Sequence, residues 1–579
     1  MTTNSTAQPA DIDPIRVEVI GSALASVSEE MGEALVKASY SPNIKERRDC
    51  TTALFDAEGN ALAQAEHIPM HLGSLMGIVK AVLDRYPVSD IRPGDGFLGN
   101  DPHTGGGTHL PDIVLVTPIF FAEELVGWAT NLAHHSDYAD RTHATIFQEG
   151  IRIPAVRAVR DWEYIDDVMH LILINMQVPA ERIADFRAQL ASNRLGVART
   201  VDLFEKYGTA TMRAAGDALM DYTERKVRAG IREIKNGTYT FADKFDSEEI
   251  PDILDISLEL TVKDEELEFV FDAPPQVRAS INLVPTALLA TVYYAVKTVV
   301  GSDIPTNAGL YRAISVTAPR GSVLSCVAPA AVNGRTQLCQ RVVDLVHGAL
   351  SKADPTLVTA ASYGSVPATQ FSGIDPRTGE YYVYLETIGG GLGASHCASG
   401  LNGVQAHITN TSNLPVESLE IEYPLTVDRY ELVDDSSGVG EHPGGMGIHR
   451  LVTVNHDDCV CHVSISRQRT QPWGLEGGGP GRSLHVEVGD EEYLDQTEFV
   501  MNTGETIGIE TAGGGGFGTP AKRPVELVER DLREGRISPA TAEAAYGYVP
   551  AGTSAAGATA TATPGSDGGG NEKTGGTRD

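Results

Sequence analysis

Two apolar, strand-like runs separated by a short acidic turn constrain the fold of this chain more than any other feature. They cover residues 113–121 and 126–133, and the turn lies at 123–124. If the two runs pair as a hairpin about that turn, Asp112 comes out nearly opposite His134. Residues directly opposed on one face of a sheet have Cβ atoms about 4.5–5.5 Å apart. The pattern therefore predicts that these two side chains meet.

Histidines cluster around the same hairpin. Five of the sixteen histidines lie between His103 and His143, and His109 precedes Asp112 by three positions. We expect His109, Asp112 and His134 to converge on a single ion once the hairpin has formed. Imidazole nitrogens and carboxylate oxygens are common metal ligands. The hairpin is therefore a candidate metal site.

The length and the charge of the chain restrict its class. At 579 residues it exceeds what one hydrophobic core usually supports, so roughly two to four domains are expected. A net charge of −33 argues against nucleic-acid binding, which requires basic patches. The acidic residues are spread along the chain, which fits a high-salt cytoplasm and an ordinary acidic protein equally well.

The apolar segments and the cysteines indicate the compartment. No apolar run reaches about 18 residues, so a membrane-spanning helix is not expected. The N-terminus has neither the basic region nor the apolar stretch of a secretory signal. The six cysteines show neither a disulfide framework nor zinc-knuckle spacing, so we interpret them as reduced core residues. A cytoplasmic location is expected.

The hydrophobic periodicity predicts an α+β fold, with a helical N-terminal part that carries the metal-bearing β-hairpin and a strand-rich C-terminal half. Asp13 and Pro14 are typical of a helix start. The expected divisions are a disordered N-terminus at 1–12, a helix-rich domain at 13–236, a mixed α/β region at 237–356, a strand-rich, glycine-rich domain at 357–520, a short helical extension at 521–551 and a disordered tail at 552–579.

A long helical stretch is expected at 179–235, with breaks near Gly196 and Gly208. Within it, three polar residues recur at every fourth position and so share one face of the helix. That face is either solvated or part of a polar network near the site, and the sequence leaves both open. The three residues are Asp185, Gln189 and Asn193.

Other polar residues are candidates for catalysis. His67 and His71 are four positions apart, which suits acid–base groups or substrate contacts, although Pro69 between them also fits simple loop packing. Glu149 lies close in sequence to the metal segment and is a candidate general base.

A charged cluster upstream is a candidate substrate-binding site. Arg47, Arg48 and Asp49 could orient an anionic substrate, because arginine binds carboxylates and phosphates in bidentate fashion. A solvated run of charges explains the same residues. The glycine clusters of the chain fit neither a P-loop nor a dinucleotide-binding fingerprint, so we interpret them as tight turns in a strand-rich domain.

Several long motifs resemble those of the hydantoinase/oxoprolinase family, in particular the B subunit of the N-methylhydantoinase group. The same fold unit forms the C-terminal half of 5-oxoprolinase and one subunit of the acetone and acetophenone carboxylases. The resemblance covers residues 13–520. The motifs lie at 40–49, 63–73, 100–112, 149–154, 386–391, 407–411, 422–424 and 513–518.

The resemblance implies a ligand set. In the carboxylase relatives, a divalent metal is held by two histidines and an aspartate in the pattern His-x-x-Asp followed about twenty residues later by His, which maps onto His109, Asp112 and His134. Such a set leaves coordination positions open and suits zinc, manganese or iron without choosing among them. His103 departs from the family, where tyrosine is more usual. His135 and Asp137 are candidates to hold the ligands in place.

The resemblance also implies an activity and a partner. An A-type subunit would bind ATP and activate a small-molecule substrate, and this B-type chain would then hydrolyse a cyclic amide or imide at its metal within a hetero-oligomer. Two alternatives remain open. In the first, the chain is a subunit of an ATP-dependent carboxylase that acts on an activated ketone. In the second, it is a non-catalytic structural subunit of the same complex.

Overall fold

The computed structural model describes residues 12–65, 67–135, 144–489, 491–493 and 497–549. Its N-terminal part is built on a large antiparallel sheet. Within the described ranges, the strands of this sheet run in the order β2-β1-β5-β4-β3-β6-β7. They are β1 (Cys50–Asp56), β2 (Ala61–Gln64), β3 (Gly96–Gly99), β4 (Asp112–Phe121), β5 (Glu124–His134), β6 (Val156–Arg160) and β7 (Glu163–Tyr164).

Helices cover both faces of this sheet, because successive strand residues point to opposite sides. Leu54 of β1 packs with Ile20 and Leu24 of the first helix, whereas Phe55 packs with Ile78 and Val82 on the other face. The helices of this part are α1 (Pro14–Ala38), α2 (Pro42–Lys45), α3 (His71–Leu75), α4 (Ile78–Arg85), α5 (Asp166–Leu173), α6 (Pro179–Tyr207) and α7 (Thr209–Arg232).

The start of α1 agrees with the prediction, since the Asp13 side chain accepts a hydrogen bond from the backbone N–H of Ile15 and Pro14 is the first helical residue. The break expected at Gly196 is wrong. The helix continues through this glycine because Met31 of α1 packs against it, and a Cβ there would lie 2.2 Å from the Met31 Sδ. The helix ends at Gly208, whose φ of +79° lies in the left-handed region.

The middle of the chain forms a second sheet with helices packed against it. The strands are ordered β11-β10-β9-β8 and alternate between buried and exposed residues. Residues 335–350 form a helix that is buried along nearly all of its length. The elements are β8 (Gly237–Phe245), β9 (Leu254–Lys263), β10 (Glu266–Asp272), α8 (Pro285–Val300), β11 (Ile314–Thr317) and α9 (Arg335–Leu350).

The C-terminal part contains two further sheets, in the orders β13-β12-β16-β19 and β14-β15-β20-β17-β18. The strands are β12 (Ala368–Ile374), β13 (Tyr381–Thr387), β14 (Leu425–Leu432), β15 (Ile448–Val454), β16 (Cys459–Ser464), β17 (His485–Val488), β18 (Glu491–Tyr493), β19 (Glu498–Met501) and β20 (Thr506–Glu510). The helices are α10 (Val416–Glu422), α11 (Val525–Arg533) and α12 (Pro539–Tyr546).

Of the C-terminal glycine clusters, the one at 477–479 includes a tight turn at Gly477, as expected, but the clusters around Gly391, Gly445 and Gly514 do not. Gly391, Gly445 and Gly514 have no positive φ, and they lie where three segments pack backbone against backbone. A Cβ on Gly391 would lie 2.0 Å from the Gly445 carbonyl oxygen. These glycines are required because the main chains approach too closely for any side chain.

The α+β prediction is confirmed. The N-terminal part was expected to be mainly helical, but it also contains a seven-stranded sheet. Five of the six cysteines are buried as expected, but Cys397 is exposed, which corrects their interpretation as core residues. The segments expected to be disordered, 1–12 and 552–579, lie outside the described residues except for Ile12. In the part of the chain that the structure describes, no helix is both long enough and apolar enough to cross a membrane.

Candidate metal centre

The β4–β5 hairpin brings three potential metal ligands together. The two strands pair antiparallel, and Asp112 is the register partner of His134. His109 lies on the loop that leads into β4, and its ring centroid is 5.0 Å from that of His134. One ligand atom from each of His109, Asp112 and His134 lies within 4.8 Å of the other two. The geometry matches the requirement for a shared ion.

The tautomer of His109 is set by a loop from a distant part of the chain. Its Nδ1 lies 3.3 Å from the backbone carbonyl oxygen of Asn333 and 3.2 Å from the side-chain Oδ1 of Asn333. Both oxygens are acceptors, so these contacts favour the tautomer in which Nδ1 carries the proton. Burial, with the nearby charge of Arg335, lowers the pKa of His109 and so favours the neutral ring.

The other ring nitrogen of His109 faces Asp112. The Nε2 of His109 lies 3.0 Å from the Asp112 Oδ1, and both side chains are buried. Burial opposes ionisation of Asp112, but His109 and Arg335 hold the pKa of its carboxyl well below the usual value. At this distance an imidazole nitrogen and a carboxylate oxygen are joined either by a proton or by a shared cation. The donor set therefore fits a metal ion.

The second oxygen of Asp112 is held by donors that leave the first one free. The Asp112 Oδ2 accepts hydrogen bonds from the Ser74 hydroxyl at 2.9 Å and from Nη2 of Arg335 at 2.9 Å. Arg335 also donates from Nε to the Thr108 Oγ1 at 2.7 Å. Such partners fix a ligand's orientation and tune its basicity.

His71 and Asp49 complete the polar side of the site. The His71 Nε2 lies 3.4 Å from the Asp49 Oδ1 and 3.8 Å from the Asp112 Oδ1, and its Nδ1 lies 2.9 Å from the Thr51 hydroxyl. Burial alone would raise the pKa of Asp49, but His134 and His71 lower it to about 2. Burial lowers the pKa of His134 to about 3. Asp49 is therefore a carboxylate that lies close to His134 and His71.

Residues 332–335, which we term the 332–335 turn, supply both Asn333 and Arg335 to the site. Glu149 holds this turn, because its Oε1 accepts the backbone N–H groups of Val332 at 2.6 Å and Asn333 at 2.7 Å. The N–H of Gly334 donates to the Ser280 carbonyl oxygen at 3.0 Å. The turn therefore fixes the orientation of two of the three candidate ligands.

The three candidate metal ligands line a cavity of about 350 Å³, which we term the metal cavity. Its walls come from the N-terminal sheet, from the start of α9 and from β12, β13 and β16. Besides the ligands, the lining includes polar residues suited to substrate contacts. They are Asp49, His71, Glu248, Glu249, Arg278, Arg335, Gln370, Thr411 and His462. A cavity of this size is at the small end for ligand sites.

A model of the hydantoinase B/oxoprolinase family matches residues 13–520. The chain belongs to this family. It is 32% identical over 564 residues to the caprolactamase beta subunit of Pseudomonas jessenii, covering 93% of this chain and 96% of the relative. The solved structure of the ATP-dependent caprolactamase from the same organism matches with a TM-score of 0.88 at 28% identity, covering 94% of this chain and 98% of that one.

The chain is also 31% identical over 551 residues to 5-oxoprolinase 1 of Arabidopsis thaliana, covering 88% of this chain. It spans 42% of the length of that relative. The family resemblance that the motifs indicated is confirmed.

The structure separates the residues that we predicted for catalysis in this hydantoinase B chain. His71 lines the metal cavity, whereas His67 lines a different one together with Tyr293 and Tyr294. Glu149 was expected to act as a base, but it is absent from the described lining of the metal cavity. Its buried carboxyl holds the 332–335 turn, and burial raises its pKa to about 8.

The two arginines that were predicted to bind substrate do not line the metal cavity. Arg47 is buried and donates to the Leu385 carbonyl oxygen at 2.7 Å and the Thr387 hydroxyl at 2.8 Å, so it supports a wall of the cavity without lining it. Arg48 pairs with Glu33 at 3.0 Å on the surface. Of the predicted trio, Asp49 alone lines the cavity in the described structure.

The other histidines near the hairpin have structural partners. His103 lies 3.0 Å from the Ala330 carbonyl oxygen. The Nε2 of His135 lies 3.1 Å from the Gln189 Oε1, and its ring stacks on Phe186, so it does not hold the ligands as we expected. Asp137, the other candidate for that role, lies outside the described residues.

The polar face of α6 is buried and not solvated. Asn193 donates to the Thr117 hydroxyl at 3.0 Å, and Gln189 donates to the Asn131 Oδ1 at 3.0 Å. The third residue of this face, Asp185, accepts backbone N–H groups of Tyr40 and Ser41. The face forms a polar network beneath β4 and β5, so the second of the two alternatives is correct.

Sequence reasoning missed Asn333 and Arg335. An Asn-Gly pair before the helical run of α9 was visible as a turn signal, but nothing in the sequence placed that turn beside a hairpin more than 200 residues away.

Proposed function

We propose that this chain is the B-type subunit of an ATP-dependent complex, and that it hydrolyses a cyclic amide or imide on a divalent metal ion held by His109, Asp112 and His134. The observation that carries the proposal is the convergence of the three side chains, whose ligand atoms all lie within 4.8 Å of one another, with the His109 Nε2 3.0 Å from the Asp112 Oδ1. The name of the caprolactamase beta subunit supports a partner subunit, and the ATP-dependent caprolactamase supports ATP as the energy source.

A divalent cation in such a site polarises a carbonyl oxygen and lowers the pKa of a water molecule. The residues of the chain supply the rest of the chemistry. Arg335 keeps Asp112 ionised and fixes its orientation. His71 lies between Asp49 and Asp112 on the cavity wall, where its Nε2 is placed to accept or deliver a proton.

The experiment that tests the proposal is elemental analysis of the purified chain beside His109→Ala and His134→Ala. We expect a near-stoichiometric transition metal in the wild type and its loss in both variants. His170→Ala serves as the control, because His170 is exposed on α5 and does not line the cavity. A wild-type chain without metal, even after reconstitution with zinc, manganese and iron, would show that these three residues do not form a metal site.

Product analysis with the A-type subunit and ATP separates the remaining alternatives. Hydrolysis gives a ring-opened carboxylate, whereas a carboxylase incorporates bicarbonate into a ketone. The named relatives at more than 30% identity, a caprolactamase subunit and a 5-oxoprolinase, favour hydrolysis. A non-catalytic subunit predicts that His109→Ala leaves the activity of the complex unchanged.

A further inference from the structure

The strand β14 forms one edge of the C-terminal five-stranded sheet, and within the described residues it pairs with β15 alone. The beginning of its outer side is covered, because the Val427 N–H donates to the Oε1 of Glu420 on α10 at 3.0 Å. Beyond that point, all residues from 428 to 432 are exposed. Unpaired backbone groups on the edge of a sheet are a template for pairing with another strand. The second half of β14 is therefore open to a further chain.

The hydrogen bonds of β14 show which of its residues face the open side. The Val433 N–H donates to the Gly447 carbonyl oxygen at 3.0 Å, so this residue faces β15. In an antiparallel ladder, successive residues direct their N–H and C=O groups to opposite sides. Leu432 and Tyr430 therefore direct theirs away from β15, and these backbone groups have no partner in the part of the chain that the structure describes.

The side chains of these two outward-facing residues form an apolar surface. Tyr430 and Leu432 are each 45% exposed, and Leu432 lies close to Gly403, two residues from Leu401, which is 60% exposed. The guanidinium of Arg450 lies 4.8 Å from the centre of the Tyr430 ring and holds it in place. Edge strands that remain unpaired are usually protected by proline or by charges, and β14 contains no proline. This surface favours association.

The charged residues on the other face of β14 are complementary to themselves. Arg429 and Glu431 are exposed, and the Arg429 Nη1 lies 3.6 Å from the Glu431 Oε1. If a second copy of β14 pairs antiparallel about a two-fold axis at Tyr430, each Arg429 lies opposite Glu431 of the other copy. An axis at residue 429 or 431 brings like charges together instead. The axis at Tyr430 also pairs this outward-facing residue with its own copy, so the charges and the hydrogen bonds select the same register.

We propose that β14 is the interface of a homodimer, in which a second copy of this chain pairs antiparallel with it about a two-fold axis at Tyr430. The two five-stranded sheets then form one continuous sheet across the axis. Arg429 and Glu431 of opposite copies occupy positions without direct backbone hydrogen bonds, where opposed side chains approach most closely. The two Tyr430 rings meet at the axis as a cross-strand aromatic pair. The proposal goes beyond the metal chemistry and does not depend on it.

Sedimentation equilibrium of the purified full chain tests the proposal through complementary charge reversals. We expect a monomer–dimer equilibrium for the wild type. Arg429→Glu and Glu431→Arg should each raise the dimer dissociation constant about tenfold, because either change places two pairs of like charges across the axis. An equimolar mixture of the two variants should dimerise about as tightly as the wild type, since every arginine then lies opposite a glutamate. Recovery in the mixture also shows that both variants are folded.

Lys244→Glu is the matched control. It changes the net charge as Arg429→Glu does, at an exposed position on β8, which is the edge of a different sheet, and it should leave the dissociation constant unchanged. A wild-type chain that stays monomeric, or a dimer that neither reversal weakens, overturns the proposal. Two variants that lose the dimer and do not associate with each other overturn the pairing of β14 with its own copy. If the wild type is monomeric and Arg429→Glu weakens binding of the A-type subunit, the edge binds that partner and the homodimer is wrong.

Discussion

Burial sets the protonation of individual imidazoles in this chain. His109 and His347 are both buried, and burial lowers the pKa of each. The neutral ring is the form of His109 that a metal ligand needs, and its Nε2 lies 3.0 Å from the Asp112 Oδ1. His347 in α9 has no such role, and its Nε2 lies 3.1 Å from the Thr298 hydroxyl. We therefore expect the neutral state of His347 to affect the free energy of unfolding and not the metal site.

The free energy of unfolding should depend on pH through His347. Burial lowers the pKa of His347 from 6.5 to about 3, so below pH 6.5 the unfolded chain binds a proton that the folded chain does not. Stability is complete above pH 6.5 and decreases as the pH falls toward 3. At pH 5 the decrease is about 2 kcal/mol.

Denaturant titrations at pH 7.5 and pH 5 measure this effect. His347→Gln should lose about 2 kcal/mol less than the wild type between the two pH values. His170→Gln, at an exposed position, should keep the wild-type dependence. The same pH dependence in His347→Gln and the wild type would contradict the assignment.

Among the elements, the start of α9 has the largest influence on the site. The 332–335 turn reaches both His109 and Asp112, and it is held by Glu149 through two short backbone hydrogen bonds. The two N–H groups belong to the residues just before the helix, so Glu149 fixes the loop that leads into α9. The helix start therefore both closes the cavity and orients the ligands.

Glu149→Ala should weaken metal binding without removing any ligand. We expect a loss of about 10–100-fold in affinity, since the groups that orient metal ligands contribute to this extent. Glu149→Gln should bind metal nearly as well as the wild type, because an amide oxygen still accepts both N–H groups. Metal titration with a competing chelator measures the affinities. If Glu149→Gln binds metal as weakly as Glu149→Ala, the negative charge of Glu149 matters for metal affinity and its hydrogen bonds do not.

The sequence predicted the part of the site that a local element forms. His109, Asp112 and His134 lie within one hairpin, whose register follows from the two apolar runs and the turn between them. Arg335, Asn333 and the cavity walls from β12, β13 and β16 come from distant segments. No periodicity or turn signal specifies how such segments pack, so these contacts could not be predicted.

At the scale of the whole molecule, Arg47 connects the N-terminal part to β13. Its guanidinium lies in the interior, where it binds Asn43 on α2 and Leu385 and Thr387 on β13. This role differs from the substrate contact that its position in a charged cluster indicated. The same contacts place β13 against the region of the hairpin, and both regions line the metal cavity.

Arg47→Met should lower the free energy of unfolding by about 3 kcal/mol, because it leaves buried acceptors without donors. Arg48→Met should change it by less than about 1 kcal/mol, since the Arg48–Glu33 pair is exposed. Denaturant titration of both variants measures the difference. Stability losses of equal size in the two variants would show that Arg47 does not join the two parts.

The backbone packing of Gly391, Gly445 and Gly514 affects how the chain is made. The N–H of Gly445 donates to the Leu392 carbonyl oxygen at 2.8 Å, and that of Gly514 donates to the Gly445 carbonyl oxygen at 2.9 Å. Each glycine thus depends on a segment far along the chain, and contacts of such long sequence separation form slowly because the loop between them must first be closed. During synthesis, the ribosome must release residues beyond 514 before these segments can assemble.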